Sequence, residues 1–180
     1  MDSIKPKAMI DDIPVWCAHD EIGDLEKAVE NPRNPNKHPE VQIKLLATIL
    51  KAQGWRNPIT ISKLSGFITK GAGRKKAALL NGWTQAPFDY QDYENEAAEY
   101  ADLIADNRIA ELAEPDLDLV KDILESIEGL DAELTGYNLD DLTKELDTSP
   151  PDVEFKEYDE STADDVEFIE CPECGHKFPK

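Results

Sequence analysis

Three observations on the 180-residue chain predict an α+β fold. Short β-branched runs bounded by turn residues, such as NPITIS (57–62) and GFIT (66–69), read as strands. Longer segments between and after them carry apolar residues at helical spacing. Those segments have their own start and stop residues.

The elements follow in order. IPVWCA (13–18) is apolar and β-branched at its start and reads as a strand. NPRNPNKHP (31–39), with three prolines and three asparagines, is a loop. Pro39 and Glu40 open a helix, because proline suits the first turn and an acid suits the positive end of the dipole. Its expected apolar stripe is Val41, Leu45, Leu46, Ile49 and Ala52, and Gly54 stops it. A tight turn around Ser65-Gly66 joins the strands at 57–62 and 66–69. A helix runs from about Gly73 to Leu80 and ends at Asn81-Gly82, and APFDYQDY (86–93) alternates like a strand. A long helix is expected over 94–113, limited by Pro115, with Ala97, Ala101, Ile104, Ala105, Ile109 and Leu112 as its apolar stripe. Helices at 116–128 and 138–146 follow. Residues 147–170 hold ten acids and one lysine, the composition of a disordered linker. The expected division is 1–115, 116–146, 147–170 and a knuckle-like tail at 171–180.

No apolar run reaches the roughly 20 residues of a membrane span. The N-terminus has no apolar signal core. A soluble, cytoplasmic protein with no membrane partner is expected. Three cysteines do not make a disulfide framework. The net charge of -20 argues against polyanionic ligands, but its distribution reverses that. Residues 31–85 carry ten Lys/Arg and one acid, a net of +9, leaving -29 for the rest. Such segregation favours a polyanion site within an acidic frame; the alternative is a solvated basic face.

Two constellations carry the functional reading. In Gly71-Ala72-Gly73-Arg74, glycines permit positive φ and close ligand approach, and the N-terminus of the following helix favours an anion. Arg74 adds a bidentate fork, with Lys75 beside it and Arg33 in the 31–39 loop as further bases. The same glycines also suit an ordinary strand–helix turn. In Asp106-Asn107-Arg108, Arg108 falls near the middle of the expected stripe, so it either pairs with an internal acid or faces a ligand cleft.

The order of these motifs resembles the ParB/sulfiredoxin-like superfamily. NPRNPNKHPEVQIKLLATILKAQGWRNPITIS, GFITKGAGRKKAALLNGWTQAPF and ADLIADNRIAELA carry the resemblance over about residues 14–146, with LTGYNLDDL trailing them. It is most like the phage and mobile-element branch called ParB-like nuclease, often joined to DNA methyltransferases. The resemblance implies a small mixed sheet with surrounding helices. It also implies a nucleotide or nucleic-acid phosphate bound between the 31–39 loop, the 71–74 turn and the helix at 106–108. Ala72 stands where sulfiredoxins carry a catalytic cysteine, so their chemistry is not implied. Partition proteins have Gly-Glu-Arg-Arg in the turn. This chain lacks that Glu and one Arg, so CTP switching is not implied either.

The reading is therefore a nucleotide- or DNA-binding protein, with a nucleoside triphosphate and Mg²⁺ as expected cofactors. One alternative is a nuclease or ATP-dependent phosphotransferase with His38 and Glu40 as acid–base pair; Glu40 otherwise only complements the helix dipole. A second is an adaptor for a DNA methyltransferase. Cys171, Cys174 and His176 resemble one knuckle of a zinc ribbon. The missing ligands could come from Cys17 and His19, from a second chain, or from a half of the ribbon that has been lost.

Overall fold

A five-stranded mixed sheet organises residues up to 146 in the computed structural model, which describes residues 4–146 and 168–179. The strands are β3 (Glu21–Asp24), β4 (Val29–Glu30), β5 (Ile59–Ser62), β6 (Phe67–Lys70) and β7 (Gln85–Gln91), in the order β3-β7-β5-β6-β4. β7 and β5 run parallel, and so do β4 and β6; the remaining pairs are antiparallel. A separate hairpin joins β1 (Ala8–Ile10) to β2 (Ile13–Val15). The α+β fold expected from the sequence is the one found. The helices are α1 (Glu40–Gln53), α2 (Ala72–Leu80), α3 (Glu96–Glu111), α4 (Leu117–Ser126) and α5 (Leu139–Leu146), with a 3-10 turn at Ala132–Leu134. Among the described residues, no helix is long and apolar enough to cross a membrane.

The core lies between the sheet and the α1–α2 pair. Trp55, Leu25, Ile59, Ile68 and Val15 are its largest fully buried apolar side chains, and Trp83 packs 6.0 Å from Trp55. α1 buries Ala47 and Leu50, and α2 buries Ala77 and Ala78, so small residues let the two helices approach closely. The buried face of α1 is Ile43, Leu46, Ala47 and Leu50, an i, i+3, i+4, i+7 set. The expected stripe was one residue off: Val41 is exposed, while Leu45 packs near the turn at Gly136. Apolar residues on both sides of this helix hide the register.

On α3 the expected stripe is wrong. Ile104, Ile109 and Leu112 are exposed, and the buried residues are Glu99 and Leu103. Glu99 accepts hydrogen bonds from Ser62 Oγ (2.7 Å) and Ser65 Oγ (2.6 Å), which tie α3 to the β5–β6 turn. A satisfied polar stripe can be buried, and hydropathy does not detect it.

Most of the acidic segment 147–170 lies outside the described residues. Its last three residues, Phe168–Glu170, form strand β8 against β9 (Lys177–Pro179), because Phe168 and Ile169 favour a strand. This hairpin belongs to a second compact unit, Asp147–Lys180.

Candidate phosphate-binding cleft

Three segments meet around a cleft of about 260 Å³: the 31–39 loop, the β6–α2 turn and the last turns of α3. The turn is local in origin. Gly71 has φ 92 and ψ 19, a left-handed conformation that swings the chain from β6 into α2 in one residue. No side chain caps α2, and its first turn carries no acid. The N-terminal N–H groups and the positive dipole end therefore face the cleft through Ala72, Gly73 and Arg74. Gly73 is fitted against the far wall: a Cβ there would lie 3.2 Å from the His38 ring and from Leu46 Cδ1.

Arg74 folds back beside Gly71. Its Nη2 donates to Pro58 O (2.9 Å), while its buried Nε has no partner. Burial pushes the guanidinium below its ordinary pKa, with the charges of Asp106 and Cys17 opposing. Lys70 sits at the strand end and pairs with Asp102 (3.1 Å) and Asp106 (3.4 Å). Burial opposes its charge, but the hydrogen bond and charge of Asp102, with those of Asp106, outweigh that and hold its pKa above the ordinary value. Asp102 also accepts from Tyr93 Oη (2.7 Å). Burial would raise the Asp102 carboxyl, but the bonds from Tyr93 and Lys70 and the charge of Lys70 hold it below its usual range. A depressed carboxyl stabilises the fold above its unfolded pKa, and that contribution is lost as pH falls through the folded value. In Tyr93→Phe, the Asp102 carboxyl should titrate at higher pH and the α3 anchor should fail earlier in acid. Side-chain carboxyl NMR checks this; an unmoved Asp102 would contradict it.

Of the residues expected at the site, His38, Gly71, Gly73, Arg74 and Asn107 line the cleft together. His38 Nδ1 is 2.9 Å from Gln42 Oε1. Asn107 Nδ2 donates to Leu103 O (2.8 Å), leaving its Oδ1 as an acceptor. The other four are not brought there. Arg108 is exposed and pairs with Glu111 (3.1 Å), because the face it shares with Ile104 and Ile109 turns to solvent. Arg33 pairs with Glu96 (3.3 Å) and stacks over Tyr100 (4.5 Å). Lys75 Nζ donates to Ala28 O (2.7 Å). Glu40 points outward to Lys44 (2.6 Å), so it forms no acid–base pair with His38.

Asn34, Asn36, Gln42, Thr69 and Lys70 also line the cleft and were not singled out from the sequence; Asp106, named there only as part of its motif and given no role, lines it too. Lys70 had a usable signal, since it directly precedes the glycine turn. A second hollow of about 510 Å³ shares Asn36, His38, Gln42 and Asn107 with the first.

The metal set is only partly assembled. Among the described residues, no three His, Cys, Asp or Glu side chains converge, so His176 does not join Cys171 and Cys174. Cys17 is packed in the core, where burial raises its pKa against the hydrogen bond and charges around it, and it is not available as a further ligand.

No family model and no curated protein matches the sequence. Solved structures do. The C-terminally truncated chromosome-partitioning protein ParB from Caulobacter crescentus, complexed with CTP-γ-S, superposes with a TM-score of 0.56 at 18% identity, covering 72% of this chain and 79% of that one. The same protein bound to the centromeric parS site gives 0.41 at 18% identity, covering 68% of each chain. A Pnob8-like ParB-N domain gives 0.36 at 12% identity, covering 88% of this chain and 56% of that one. The first match, with the mixed sheet and helices described above, is decisive for architecture: this chain has a ParB-like fold.

Proposed function

We propose that the cleft binds the phosphates of a nucleoside triphosphate together with Mg²⁺, and that the chain is a nucleotide-binding module. The carrying observation is the uncapped α2 N-terminus, which meets Lys70, Arg74 and His38 in one concave site. The neighbouring 510 Å³ hollow offers room for the sugar and base. The ParB of the same fold solved with CTP-γ-S supports the ligand class.

Among the described residues, Asp106 is the one carboxylate lining the cleft. Lys70 offsets part of its charge at 3.4 Å, and a metal cation would offset the rest against a phosphate. Asp106 and the free Oδ1 of Asn107 are oxygen donors of the kind Mg²⁺ takes, and the ion would supply charge neutralisation between them and the phosphates.

Nucleotide is favoured over duplex DNA by what the basic block does in space. Arg33, Lys44, Lys63, Lys70 and Lys76 are ion-paired, Lys75 and Arg74 bond backbone carbonyls, and Arg56 stacks on Trp16 at 4.7 Å. Within residues 31–85 this leaves Lys37 and Lys51, a thin set for the phosphate contacts that dominate DNA affinity, whereas Lys70 and Arg74, though bonded, line a cleft where a triphosphate needs few contacts.

Calorimetric titration of the full chain with ATP, CTP, GTP, UTP and a DNA duplex, with and without Mg²⁺, tests the reading. Saturable, Mg²⁺-dependent binding of at least one triphosphate without phosphate release is expected. No binding of any nucleotide overturns it, and phosphate release would make the chain an enzyme.

A further inference from the structure

The C-terminal hairpin carries chemistry that the cleft does not use. Its turn is Cys171-Pro172-Glu173-Cys174-Gly175-His176, between β8 and β9. Cys171 N–H donates to His176 O (2.9 Å), and Gly175 N–H donates to Cys171 O (2.9 Å). Gly175, at φ 73, reverses the chain just after the second cysteine. Both cysteines are free, and neither is buried. Two free thiols separated by Pro172 and Glu173 on one hydrogen-bonded hairpin turn have the spacing of a two-thiolate chelate, which is half of a tetrahedral site.

A second deficit lies in the same place. Phe168 is 59% exposed, and Ile169 and Phe178 are each 43% exposed. Two paired three-residue strands do not bury enough to be stable alone. Among the described residues the hairpin thus lacks two metal ligands and a core, and a second identical hairpin supplies both.

We infer that the hairpin is a shared metal site: two copies of this chain bind one tetrahedral divalent ion of the zinc class through Cys171 and Cys174 of each. Four S–H bonds are replaced by four metal–sulfur bonds, four protons pass to solvent, and no electron moves. An all-sulfur tetrahedral set selects zinc over the oxygen-seeking divalent ions. Ile169 and Phe178 stand opposite each other and share one face of the hairpin, so packing that face against its copy would add apolar contact to the coordination.

Reduced, metal-free full-length protein titrated with Co²⁺ and then Zn²⁺, with mass followed by sedimentation, tests this. Saturation at one ion per two chains is expected, with sulfur-to-cobalt charge-transfer bands and a doubling of mass that EDTA reverses. Cys174→Ser should lose all three, and His176→Asn should keep them. Saturation at one ion per chain without a mass change would assign the remaining ligands to a single chain and overturn the sharing. Loss of the cobalt bands in His176→Asn would overturn the four-sulfur set. No metal uptake by the reduced protein, or its conversion to a Cys171–Cys174 disulfide with Zn²⁺ present, would overturn the site.

Discussion

Arg74→Ala is expected to weaken triphosphate binding about ten- to hundred-fold, the equivalent of one charge-assisted hydrogen bond at about 1.5–3 kcal/mol. The geometry makes this more than a deleted surface charge. One N–H of the guanidinium is anchored on Pro58 O at 2.9 Å, and Nε is buried without a partner. The fork is held in place beside the Gly71 turn with donors left over for a ligand. From the sequence alone, a base one residue into a helix reads as removable without harm to the fold. The burial changes that reading. Losing the Pro58 bond should also cost about 1 kcal/mol of stability, partly offset by removal of the unpaired Nε. Affinity and thermal unfolding must therefore be measured on the same samples. Arg74→Lys keeps the charge but not the fork, and should recover only part of the affinity. Unchanged affinity in a folded Arg74→Ala protein would remove the phosphate corner from the cleft.

Element types were legible because they depend on local residues. Pro39-Glu40 and Gly54 bound α1, and the Ser65-Gly66 turn separates β5 from β6, where the structure puts them. The facing of helices was less legible because it depends on what lies across the interface. α3 turns Glu99 inward since Ser62 and Ser65 wait there, 37 and 34 residues away in sequence. Arg108 followed the same error, and it went to solvent with the stripe it was assigned to. The charge block overstated how many bases face a ligand, for a related reason. Its bases are segregated along the chain but neutralised in space by Glu30, Asp92, Glu96, Asp102 and Asp106 from the acidic flanks. The glycine turn was the legible part of the site, since positive φ and an uncapped helix start are local properties. The pairing of Asp106 with Lys70 was not, because it joins residues 36 apart in sequence.

Gly54→Ala is expected to be the most destabilising single-methyl change in the fold, at about 3 kcal/mol or more. Gly54 caps α1 with φ 73 and ψ -166, a region that side chains other than hydrogen rarely enter. A Cβ there would lie 2.2 Å from Pro14 O and 2.8 Å from Pro14 Cγ. That same carbonyl accepts the N–H of Trp55 at 2.9 Å, and Trp55 is fully buried. The methyl therefore forces apart the joint between the β1–β2 hairpin and the end of α1, and loosens the largest side chain of the core with it. Gly66→Ala is the matched control. It too has positive φ (76), but nothing lies within 4 Å of its added Cβ. It should cost only the backbone strain, about 1–2 kcal/mol. Urea unfolding of the two variants separates the contributions, and equal losses would mean that the approach of Pro14 is not limiting. His38 and Gln42 stand at the other end of α1, roughly 20 Å away along a 14-residue helix. Nucleotide affinity measured on the folded fraction of Gly54→Ala should therefore remain near that of the parent, even as the fraction folded falls.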